Sequence, residues 1–220
     1  MNWLIRALSS SVGKKFVMAI TGLLLCGFLV VHLAGNVLLY VGPEAYNAYA
    51  HKLHSQEGLI KIAEVGLAAL FGLHIFLAIS LTRANVKARD VEYLRNETKL
   101  DDPNPRKRAS NWMGVTGLVI LGFLLLHLTD FTIEARDFEY EGKEPFDKAI
   151  MILKNPITAG VYLVGCAALL IHLLHGFASA FQSLGLKHPK VRDLINRASW
   201  IFAFAIGFGF ASFLVWAFLQ

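Results

Sequence analysis

Five apolar stretches, each about as long as the roughly 20-residue helix that crosses a 30 Å hydrocarbon layer, leave this chain one fold class. They cover residues 16–40, 59–81, 112–133, 157–181 and 198–219 of a 220-residue sequence. Inside a bilayer every backbone N–H and C=O must be bonded within the protein, so an apolar run of this length crosses as a helix. With 55% hydrophobic and 17% charged residues, the chain also lies above the roughly 45–50% apolar share of soluble domains. The expected architecture is an all-α integral membrane protein, a bundle of five transmembrane helices forming one domain over residues 1–220.

The first apolar stretch ends on His32, Gly35 and Asn36 rather than on a small-residue cleavage site, so it is expected to persist as the first span rather than be removed as a signal peptide. Residues 1–8 place Trp3, Leu4 and Leu8 beside Arg6, a pattern that reads either as a helix lying in the membrane interface or as a frayed terminus. Cys26 and Cys166 fall within the first and fourth stretches, where cysteine acts as a small apolar residue. No disulfide and no redox role is expected of them.

Basic residues collect in alternate connections. Arg6, Lys14 and Lys15 precede the first stretch. Arg83, Lys87, Arg89, Arg95, Lys99, Arg106, Lys107 and Arg108 lie between the second and third, and Lys187, Lys190, Arg192 and Arg197 between the fourth and fifth. The other two connections differ. One has Lys52, with Lys61 just inside the second stretch; the other mixes four basic residues with Glu134, Asp137, Glu139, Glu141, Glu144 and Asp147. The excess of Lys and Arg on cytoplasmic loops then places the N-terminus in the cytoplasm and the C-terminus outside. This topology accounts for the net charge of +5, and nucleic-acid binding is not inferred from it. The long second connection, with the turn signals of Asp102, Pro103, Asn104 and Pro105, reads as a solvated loop or as a docking surface for a cytoplasmic partner. The acidic and then apolar run before Pro156 suits an external loop with a short interfacial segment.

Four histidines, His32, His74, His127 and His172, stand one in each of the first four stretches. An ionisable side chain within a bilayer costs at least a few kcal/mol unless compensated, and such residues are functional by default. A helix rises about 1.5 Å per residue, which puts His32 and His127 roughly 25 Å from the cytoplasmic ends of their helices and His74 and His172 roughly 13–15 Å from theirs. The first two share an outer layer and the last two an inner one. Two imidazoles at one depth on different helices of a bundle suit the two axial positions of a planar haem iron. Zinc requires about four donors at one point, whereas these histidines divide into layers. Hydrogen bonding between helices is the alternative for each taken singly. His175, three residues past His172, is a second candidate in the fourth stretch, or a group that bonds a haem propionate or partner subunit. His51, His54 and His188 lie in connections and read as solvated. Gly27, Gly35, Gly72, Gly117, Gly122, Gly165 and Gly176 stand near the histidines and suit a macrocycle lying close to the backbone, although small residues are frequent in membrane helices generally.

These residues carry a resemblance. The opening S-S-V-G-K-K-F-V-M-A-I-T-G, the following H-L-A-G-N from His32 to Asn36, and the stretch H-L-L-H-G-F-A-S-A-F-Q-S-L-G from His172 are similar to the five-helix, two-haem cytochrome b subunits of succinate dehydrogenases and menaquinol:fumarate reductases. The likeness extends over essentially the whole chain. It implies two haem b groups, an outer one on His32 and His127 and an inner one on His74 and His172. The family ligand generally stands 13 residues before a glycine that closes the fourth helix and, in several members, four before another. Gly185 and Gly176 therefore favour His172 over His175. The resemblance further implies a flavoprotein with FAD and an iron-sulfur protein as cytoplasmic partners, menaquinone or another quinone as substrate near the external side, and a place in the cell inner (cytoplasmic) membrane. Two cysteines cannot supply the four thiolates of an iron-sulfur cluster. For quinone-linked protons it points to Glu57, at the outer start of the second helix, and to Glu64 deeper in; an acid favoured by the helix dipole is the alternative for Glu57. The haem subunit of a formate dehydrogenase or hydrogenase is the competing enzyme-linked reading, and a haem-free membrane scaffold or transporter the reading from another class.

Overall fold

A computed structural model describes residues 2–87, 112–136, 138 and 140–220, and among these the regular elements are helices without strands. In chain order they are α1 (Asn2–Ser9), α2 (Ser11–Asn36), α3 (Leu38–Val41), α4 (Pro43–His54), α5 (Glu57–Lys87), α6 (Met113–Phe131), α7 (Pro145–Lys154), α8 (Pro156–Ser183) and α9 (Arg192–Ala217). Five helical spans are long and apolar enough to cross a membrane: Ser11–Val41, Glu57–Asn85, Met113–Phe131, Pro156–Ser183 and Arg192–Ala217. The basic residues between Lys87 and Met113, the turn residues among them, and Asp137 and Glu139 lie outside the described residues.

The spans differ from the apolar stretches mainly at their ends, where caps rather than hydropathy decide. The first span begins at Ser11, ahead of Phe16, because the Ser10 hydroxyl accepts the Gly13 N–H at 3.0 Å and so satisfies a donor that every helix start leaves open. The turn from α1 is so tight that a side chain at Gly13 would collide with the Ala7 carbonyl. Asn155 caps α8 by accepting from Ile157 and Thr158 N–H, with Pro156 in the first helical position. At the other end Gly185 adopts φ 75°, and the Leu186 N–H reaches back to the Phe181 carbonyl at 2.9 Å. This is the left-handed stop that glycine makes without strain. Residues 2–9 are helical, and the run before Pro156 forms α7. Helix α4 is the element not expected from the sequence; its alternation of Tyr46, Tyr49 and Leu53 with polar residues is too mixed for an apolar count.

α8 lies at the centre of the bundle, against α2, α6 and α9, while α5 leans on α2. The α8–α9 seam is built from small residues. A Cβ on Gly207 would stand 2.8 Å from Leu170 Cβ, Ala203 is fully buried, and Ser199 Oγ donates to the Leu174 carbonyl at 3.0 Å. Such residues let backbones approach closely where lipid supplies no hydrophobic drive for helix association. No extensive backbone seam joins α5 to α6, α2 to α6, or α5 to α8. α3, α4 and α7 close one end, hereafter the capped end, with Leu39, Ala149 and Leu153 in one buried cluster with Tyr162, Phe213 and Leu214. Polar contacts fasten this cap, among them the Phe146 N–H donating to Asn47 Oδ1 at 2.8 Å and His51 Nε2 meeting Glu144 Oε2 at 2.7 Å.

Candidate functional site

Near the capped end the rings of His32 on α2 and His127 on α6 stand 5.8 Å apart and nearly perpendicular, at 85°. Phe28 stacks on His32 at 5.3 Å and Phe123 leans on His127 at 5.6 Å, each one turn earlier on the same helix. Phe210 of α9 and Phe131 pack against the other sides of the two imidazoles. The Nδ1 atom of His127 is buried and has no hydrogen-bond partner among the described residues. A metal ion between two imidazoles, each bound at roughly 2 Å, would hold the ring centres roughly 6 Å apart. The observed separation fits that requirement.

Deeper in the bundle His74 of α5 faces α2, and His172 of α8 faces α6. His74 Nδ1 is 3.0 Å from Thr21 Oγ1, and His172 Nδ1 is 3.1 Å from Thr116 Oγ1. His172 is also within electrostatic range of His74 and His175. Helical rise from Thr21 to His32 separates the two levels by about 16 Å, more than the roughly 10 Å derived from the span ends. Among the described residues no three of His, Cys, Asp and Glu converge as a multidentate metal cage would require. Two imidazoles that meet from two helices, as His32 and His127 do, are a different donor set.

The threonines were not among the candidates, although the sequence carries a signal for them. The pattern M-x-x-T-G-L-x-x-x-G-F-L-x-x-H-L occurs at residues 18–33 and again at 113–128. A second pattern, V-G-x-A-A-L, precedes His74 at 65–70 and His172 at 164–169. The first two spans therefore recur as the third and fourth, an internal repeat of the kind that exposes equivalent positions. Within each first half of the repeat, Thr and His are 11 residues apart, about three turns, and so share one helix face.

Of the remaining candidates, Glu57 lies exposed in the first turn of α5 and Glu64 exposed two turns deeper, neither with a bond to another described residue. His51 pairs with Glu144, and His54 Nδ1 bonds the Ala50 carbonyl at 2.8 Å. The glycines divide by surroundings. Tyr49 occupies the space beside Gly35 and Phe123 that beside Gly165, so these two serve helix packing. Gly117 and Gly176 adjoin the His172 ring, and Gly27, Gly72 and Gly122 have no such neighbour within 4 Å. Asp130 was missed altogether. It has no exposed surface, its two carboxylate oxygens meet Arg136 Nη1 at 2.9 and 3.1 Å, and it accepts the Tyr162 hydroxyl at 2.7 Å. The signal was an acid one turn past His127 within an apolar span.

No family model and no solved structure matches the chain. Over 165 residues, 72% of each protein, it is 26% identical to the succinate dehydrogenase cytochrome b558 subunit of Bacillus subtilis (strain 168).

Proposed function

We propose that this chain is the cytochrome b membrane subunit of a succinate:quinone oxidoreductase, anchoring a flavoprotein and an iron-sulfur protein at the cytoplasmic face of the cell membrane. The observation that carries this reading is the meeting of the His32 and His127 rings at 5.8 Å inside the bundle. The likeness to a succinate dehydrogenase cytochrome b558 subunit supports the choice of enzyme.

In this reading His32 and His127 hold an outer haem b, and His74 and His172 an inner one. A haem held by two imidazoles would supply one-electron iron chemistry rather than oxygen activation. Phe28, Phe123, Phe131 and Phe210 give the outer imidazoles an aromatic surround. Helices α5 and α6 lean on different partners, α5 on α2 and α6 on α8. In this reading the N-terminus is cytoplasmic, as the excess of Lys and Arg in its connections favours, so the capped end is external and quinone, menaquinone in the first instance, reacts there. Glu57, at the capped start of α5, exchanges quinone protons with the external medium, and Glu64 extends the same route inward.

A reduced-minus-oxidised absorption spectrum of the purified full chain tests the proposal. Two b-type haems per chain are expected, and absence of b-type bands would overturn it. Copurification of a flavoprotein with succinate-dependent activity is expected next; formate- or hydrogen-dependent activity in its place would replace the enzyme assignment while keeping the haem pairs.

A further inference from the structure

The two histidine layers are held by different chemistry. A threonine hydroxyl has a single proton. Thr21 gives it to the Met18 carbonyl at 3.0 Å and Thr116 gives it to the Trp112 carbonyl at 2.9 Å. The contacts to His74 Nδ1 and His172 Nδ1 therefore use the oxygen lone pairs, and the imidazoles donate. A neutral imidazole protonated on Nδ1 carries its lone pair on Nε2. The glycine after each threonine lies against the ring, at ordinary van der Waals distance for an added Cβ. A Cβ at Gly22 would stand 3.4 Å from His74 Cε1, and one at Gly117 would stand 3.7 Å from His172 Cε1. The dipeptide Thr-Gly is thus one imidazole cradle built twice, once in each copy of the repeat. At the other level His127 Nδ1 has no partner among the described residues, and aromatic rings surround both imidazoles.

We infer that Thr21 and Thr116 are positioning residues for the inner histidine pair, setting the tautomer and rotation that turn Nε2 of His74 and His172 toward iron. This rests on the proposed haem reading. An acceptor on the far ring nitrogen fixes a ligating histidine and raises its basicity, and a more basic ligand favours ferric iron. The cradle therefore lowers the potential of the inner haem and leaves the outer haem to aromatic packing. The two haems are made unequal by two hydroxyl groups.

The test uses the full chain purified with its haem as wild type, Thr21→Val, Thr116→Val and the corresponding serine variants. Valine keeps the shape and removes the oxygen; serine keeps the oxygen. In a redox titration each valine variant is expected to raise the midpoint potential of the same one of the two haems and to leave the other unmoved. Transfer of that haem to apomyoglobin is expected to accelerate about 10-fold or more, and serine is expected to restore both values. A wild type without b-type bands overturns the functional reading together with this inference. Two haems in the wild type with unchanged potentials and retention in the valine variants, or a serine variant that behaves as valine does, overturn this inference alone. Where a valine variant does not accumulate, the redox-difference infrared spectrum of the wild type decides. Imidazole ring modes of a strongly bonded Nδ1–H, perturbed by Thr→Ser with both haems retained, support the cradle; free N–H modes alone overturn it.

Discussion

Asp130 lies in an apolar span with none of its surface exposed, where an unpaired carboxylate would cost several kcal/mol. Arg136 and Tyr162 offset that cost with three short hydrogen bonds to its two oxygens. Asp130→Ala leaves a half-buried guanidinium and a buried phenol without their acceptor, and should destabilise the chain by about 3–5 kcal/mol. Tyr162→Phe, which removes one donor, should cost only about 1–2 kcal/mol. Thermal unfolding in detergent checks the order, and two equally small losses would refute the network as described. The histidine assignment makes a sharper prediction. His172→Ala should remove one b-type haem from the difference spectrum, whereas His175→Ala should keep both; the reverse outcome would move the ligand to His175. For Glu57→Gln, quinone-linked turnover should fall several-fold with both haems retained, and unchanged turnover would take Glu57 out of the mechanism.

Between helices, stability depends on close approach rather than on hydrophobic transfer, because the surrounding lipid is as apolar as the side chains. Gly165 is the clearest case. A Cβ there would stand 2.6 Å from Phe123 Cγ, and Phe123 is the ring that leans on His127. Gly165→Ala should therefore cost about 1–3 kcal/mol through overpacking and weaken haem retention at the proposed His32–His127 site at the same time. Gly58→Ala is the matched control, since nothing stands within 4 Å of the added atom and alanine is the better helix former. It should leave the unfolding temperature unchanged or slightly higher; a loss equal to that of Gly165→Ala would refute the packing argument. α9 carries no histidine, and its role follows from the same seams. Its small residues pack closely on α8, which in turn packs on α2 and α6.

At the scale of the molecule, five spans put the two termini on opposite sides of the membrane. Cysteines introduced singly at Arg6 and Lys187 should be labelled from one side, and those at Lys52 and Lys143 from the other, with the first pair cytoplasmic. Labelling of Arg6 and Lys52 from the same side would break the topology. Much of this architecture was legible in the sequence. Length and apolarity alone mark the spans, because every peptide group in a bilayer must bond within its own helix. A fixed rise per residue brought His32 and His127 to one level before any contact was known. The exact starts of the first and fourth spans were not legible, since Ser10 and Asn155 set them by capping. The polar helix α4 was hidden because its stability depends on packing against α7. The sequence by itself determined that this is a five-span helical bundle with four histidines inside it, as local physics in each segment requires. Only the tertiary structure decided that Thr21 faces His74, that Thr116 faces His172, and that Asp130 shares its charge with Arg136 and Tyr162. Those contacts depend on how each helix is turned about its own axis, which the packing of all five spans settles together.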